Sequence, residues 1–119
     1  MFNDIIVNHF SNATYAAELD AHRAVIELGN PVCGDRIRVQ FEIAHGLIKG
    51  VCFQAWGCAT SLATGNIFCT QIDGKSLSDI EKLTNTDIEH MLGEIEPSQH
   101  HCLEMLYSLF TRLRQYKAA

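Results

Sequence analysis

Between Arg36 and Trp56 the chain reads "RIRVQFEIAHGLIKGVCFQAW", and this stretch limits the possible folds more than any other. Ile37, Val39, Phe41 and Ile43 alternate with Arg36, Arg38, Gln40 and Glu42, a period that a strand, not a helix, places on two opposite faces. The pattern predicts a half-buried strand over Arg36–Ala44. His45-Gly46 is a tight-turn pair, after which Val51, Phe53 and Ala55 oppose Cys52, Gln54 and Trp56. Two strands joined by so short a turn pair antiparallel, giving a hairpin with one apolar face.

The segments on either side can cover that face. Gly57 ends the second strand, and "CATSLATGNIFCTQI" starts a helix near Cys58 whose small residues, with Leu62, Ile67, Phe68 and Ile72, suit close packing on the sheet. "DGKSLSDIEKL" is a turn and a short helix with Ser76 as N-cap, and "TNTDIEHML" begins another with Thr84 or Thr86 as cap. Ser98 is the expected cap of a final helix with the stripe Leu103, Leu106, Leu109, Phe110 and Leu113. Upstream, Ile5, Ile6, Val7 and Phe10 predict a short amphipathic helix packed by one face, and "SNATYAAELDAH" reads as a loop. "RAVIELGNP" is ambiguous, because Ala, Glu and Leu favour helix while Val25-Ile26 favour strand. The order predicts an α+β fold with helices on one sheet face. With 119 residues, 47% of them hydrophobic, the expectation is one domain over 1–119 with one modest core.

A net charge of −5 and scattered Lys and Arg give no footprint for nucleic acid. The longest apolar runs are broken by Lys, Gln and Gly, so no membrane span is expected. The first residues carry Asp4 and no basic region, which fits neither a secretory signal nor a transit peptide. Five cysteines, an odd set without compact spacing, then argue for a reducing compartment, with the cytoplasm as the expected location.

The cysteines divide by position. Cys33 lies in the Pro- and Gly-bracketed loop "NPVCGDR", with the Asp35 carboxylate two residues on. Cys58 follows Gly57 at a strand-to-helix junction, and Cys102 falls in the first turn of the last helix beside His101. Free N–H groups at a helix start favour thiolate. Three such cysteines beside Gly, His or Asp suit a soft-metal or cluster site, although each, taken alone, also reads as a small buried residue. Cys52, in mid-strand, and Cys69, beside Phe68 near a helix end, read as core fillers. His9, His22, His45 and His90 read as surface residues, and Trp56 as a core or rim aromatic.

"NPVCGD" (Asn30 to Asp35), "GCATSLATG" (Gly57 to Gly65), "DGKSLSDIEKLTNTDI" (Asp73 to Ile88) and His101-Cys102, in this order, resemble the scaffold proteins of iron-sulfur cluster assembly, of the IscU and NifU N-terminal-domain type. The resemblance covers nearly the whole chain, and the intervals of 25 and 44 residues between Cys33, Cys58 and Cys102 belong to it. It implies a small three-stranded antiparallel sheet, with "RAVIELG" as its third strand. It implies a non-catalytic scaffold on which a transient 2Fe-2S cluster is built at Cys33, Cys58 and Cys102, with His101 as the fourth candidate ligand and Asp35 either ligating or promoting release. Cys102 or Cys58 would accept persulfide sulfur.

The implied partners are a cysteine desulfurase, frataxin-like iron or ferredoxin electron donors, and recipient apoproteins. Two departures from the family pattern stand out. The Leu-Pro-Pro-x-Lys segment on which the family's Hsp70-type chaperone docks reads "IEPSQ" here, with Gln99 in the lysine's place, which counts against that partner. "HFSNAT" lacks the proline that usually follows the asparagine. The 44-residue interval leaves no room for the long insertion of the SufU branch. The same four groups would hold zinc tetrahedrally, so the alternatives are a zinc-dependent sulfur acceptor of SufU type and a structural Cys3His zinc module.

Overall fold

The computed structural model describes residues 3–17, 24–29, 34–57 and 59–116. Helix α1 (Asp4–Ser11) precedes three strands, β1 (Ala24–Gly29), β2 (Arg36–Ala44) and β3 (Leu47–Trp56). Helices α2 (Ala59–Ile72), α3 (Leu77–Glu81), α4 (Asn85–Leu92) and α5 (His100–Gln115) follow, α5 preceded by a 3-10 turn at Pro97–Gln99. The sheet order is β1-β2-β3, antiparallel throughout. The fold is α+β, as expected, and the ambiguous "AVIELG" is a strand.

Register explains the two faces. Ile26 opposes Val39 and Val39 opposes Phe53, so these side chains share the face that packs with Phe68, Leu106, Leu109 and Phe110 in one core. On the opposite face Glu27 pairs with Arg36 and Arg38, and the Arg36 guanidinium lies 5.0 Å from the centre of the Trp56 ring. Trp56 is exposed, a rim residue. The β2–β3 turn has positive φ at both His45 (54°) and Gly46 (78°), the geometry that matches the twist of a hairpin.

Helix α2 lies close on the sheet because residue 65 is glycine. A Cβ there would meet Phe53 Cδ2 at 2.6 Å and Cε2 at 2.7 Å, and Phe53 is fully buried. The far end of α2 is fastened to the start of β3: Gly74 N–H donates to the Ile48 carbonyl and Ile48 N–H to that of Lys75, both at 2.8 Å. Ser76 caps α3, and Thr84 with Asp87 forms a full capping box on α4.

Three expectations need correction. Ser98 does not cap the last helix. The extended residue is Glu96, and Ser98 lies inside the 3-10 turn, with no side-chain cap on either helical segment. That turn runs directly into α5 (His100–Gln115), whose first turn holds Cys102, as expected. The buried stripe of α5 starts earlier than expected, at Cys102, Met105 and Leu106, and Leu103 is only partly buried. In α1 only Ile6 is buried, while Ile5, Val7 and Phe10 are exposed.

Candidate functional site

Asp35 sits where the loop enters β2, and His101 and Cys102 open α5. They stand 66 and 67 positions after Asp35, yet the chain folds back so that the three ligand atoms all lie within 4.8 Å of one another. Cys102 is fully buried and Asp35 nearly so. The His101 Nε2 lies 2.9 Å from Asp35 Oδ2, and its Nδ1 lies 3.1 Å from the Ser98 carbonyl oxygen. A carbonyl can only accept, so a hydrogen bond there puts a proton on Nδ1. The carboxylate faces Nε2, and the two residues form an ion pair when the ring is protonated on both nitrogens.

Helix α2 contributes from the third side. Ser61, fully buried, donates from Oγ to Asp35 Oδ2 at 2.8 Å, and the same oxygen lies 4.0 Å from Cys102 Sγ. Gly57 closes the back: its φ of 135° suits glycine, and a Cβ there would fall inside the contact shell of Asp35 Oδ1 and 2.8 Å from its Cγ. A shallow cleft lined by Phe10, Ala55, Gly57, Ala59 and Leu62 opens beside this point.

Of the five candidate site residues, Asp35, His101 and Cys102 come together. Cys33 and Cys58 lie outside the described residues. Sequence reasoning missed Ser61 and the closeness of Gly57, because a serine in the first turn of a helix and a glycine after a strand each have ordinary local uses. Among the fillers, Cys52 and Cys69 are buried as expected, and burial pushes the Cys69 thiol well above its usual range. His9 is not the surface residue expected. It faces the buried Asn66 amide at 2.9 Å.

The donor set is one carboxylate oxygen, one imidazole nitrogen and one sulfur in a largely buried pocket, which suits borderline and soft divalent metals such as iron or zinc. The sequence model of the NifU-like N terminal domain matches residues 1–118. The chain belongs to this family.

It is 28% identical over 102 residues to iron-sulfur cluster assembly scaffold protein IscU 1 of Archaeoglobus fulgidus, covering 86% of this chain and 67% of that one. It is also 28% identical over 105 residues to IscU of Azotobacter vinelandii, covering 85% of this chain and 81% of the relative. The crystal structure of a NifU-like N-terminal protein from Brucella abortus shares the fold, with a TM-score of 0.69 at 14% identity and coverage of 98% and 95%. The resemblance carried by the four motifs is therefore borne out for the family and for the fold. In this NifU-like chain no described helix is long and apolar enough to cross a membrane.

Proposed function

We propose that this chain is a non-catalytic scaffold that assembles a 2Fe-2S cluster and passes it on. The observation that carries the reading is the convergence of Asp35, His101 and Cys102 within 4.8 Å in a chain whose relatives are named as cluster assembly scaffolds. Cys33 and Cys58 complete the ligand set in this proposal: Cys33 stands two residues before Asp35, and Cys58 follows Gly57, whose backbone abuts the Asp35 carboxylate. The chain acts as a single scaffold domain.

The chemistry follows from the ligand types. Thiolates hold iron firmly, while a carboxylate or an imidazole is displaced more easily, so a mixed shell suits a cluster that must leave. The Asp35–His101 contact at 2.9 Å favours departure too, because whichever group lets go of the metal regains the other as partner. Sulfur arrives when a Cys102 or Cys58 thiolate attacks the outer sulfur of a desulfurase persulfide, releasing the desulfurase thiolate. Reduction of that sulfur to sulfide takes an electron pair, which gives a ferredoxin a place among the partners, with a frataxin-like protein for iron and apoproteins as recipients.

A second reading has support in the same donor set, which fits zinc as well as iron. The protein would then be a zinc-dependent sulfur acceptor. Anaerobic incubation with ferrous iron, cysteine and a cysteine desulfurase separates the two. A scaffold acquires visible absorption and about two irons per cluster, Cys102→Ser abolishes it, and Asp35→Ala lengthens the cluster's lifetime. A colourless protein that keeps one zinc and still takes up sulfane sulfur overturns the scaffold reading in favour of the second.

A further inference from the structure

We infer that Ser61 is a positioning residue for the metal site: its buried hydroxyl fixes the Asp35 carboxylate for coordination and stays on it when metal displaces His101. This inference rests on the reading of Asp35, His101 and Cys102 as ligands. A serine in the first turn of a helix ordinarily turns its oxygen to a nearby backbone N–H. Ser61 gives its one proton to Asp35 Oδ2, 26 residues away, at 2.8 Å. The hydroxyl has one proton to give, so the Cys102 sulfur at 4.0 Å meets the oxygen's lone pairs.

Asp35 Oδ2 thus carries two partners of different kinds. His101 is itself a candidate ligand, and its bond to Oδ2 at 2.9 Å has to open before both groups can bind one ion. Ser61 is a neutral alcohol and a poor ligand, so nothing requires its bond to break. It keeps the carboxylate aimed while the imidazole swings away. Hydrogen-bonded partners of this kind are worth a factor of about 10 to 100 in metal affinity.

The test uses the full chain and Zn2+ alone, with affinity read by competition against a coloured chelator. Ser61→Ala is expected to weaken zinc binding at least about tenfold with an unchanged circular dichroism spectrum, and Ser61→Thr, which keeps the hydroxyl, to restore it. In an Asp35→Ala background Ser61→Ala adds no further loss, because there is no carboxylate left to hold. Equal zinc affinity in the Ser61→Ala and wild-type proteins overturns the inference. So does an equal loss in both backgrounds, which would place the effect on Cys102 or on general packing. If Cys102→Ser leaves zinc affinity unchanged, the site reading itself fails and the Ser61 role falls with it.

Discussion

The Asp35 carboxylate is gripped by Ser61 and His101 at one oxygen and backed by Gly57 at the other, which makes residue 57 a sensitive probe. Gly57→Ala adds a methyl group that must push the carboxylate away and a side chain at φ 135°, a conformation costing about 1–3 kcal/mol. Urea unfolding is expected to show that loss, and zinc affinity to fall with it. Unchanged metal binding would mean that the carboxylate can retreat without leaving the site. A second residue-scale prediction concerns pH. Asn66 Oδ1 accepts the Tyr15 N–H at 3.1 Å, which fixes the amide so that Nδ2 donates to His9 Nδ1 and the ring is neutral in that bond. Burial holds His9 below its ordinary value of 6.5. The unfolded chain therefore binds more protons just below that value, so stability rises with pH. The His9 contribution is complete above the ordinary value and is lost as pH falls through the depressed folded one. Denaturant unfolding from about pH 7.5 to about pH 5 is expected to show a larger loss of stability for wild type than for His9→Gln. Equal losses would contradict it.

At the scale of elements, the spacing of α2 from the sheet is set by one missing side chain. Gly65→Ala puts a methyl group within 2.7 Å of the Phe53 ring, which is fully buried and has nowhere to swing. Overpacking of this kind costs about 1–3 kcal/mol, despite the better helix propensity of alanine, and a thermal melt above the wild-type midpoint would show that α2 rides more freely than its packing implies. The strands were the most legible elements, because side chains alternate along β2 and the His45-Gly46 pair leaves one plausible turn. β1 was not legible from its own residues: "AVIELG" satisfies helix and strand preferences alike, and pairing with β2 decides. The Ser98 cap failed because Pro97 starts a helical turn one residue earlier, and nothing local distinguishes a serine before a helix from one already inside it. The α1 stripe failed for a related reason, since periodicity states which residues share a face and not whether a neighbour covers it.

For the molecule as a whole, the cysteines separate into two populations with different fates on substitution. Cys69 is buried in the main core and its thiol is held protonated by burial, so Cys69→Ser is expected to cost about 1–3 kcal/mol through a poorly satisfied hydroxyl and to leave bound metal per chain unchanged. Loss of metal in that variant alone would mean that the core and the site are one unit. The site was legible as residue types and, through the family resemblance, as a set. Its supports were not, because Ser61 and Gly57 acquire their roles only once β2, α2 and α5 meet. That meeting has a consequence for biogenesis. Asp35 emerges early in synthesis, yet its neighbours His101 and Cys102 arrive 66 and 67 residues later on α5. The sheet and α2 by themselves do not possess the pocket, which is complete only once α5 has joined them. An ion that needs all three groups has to wait for the last helix.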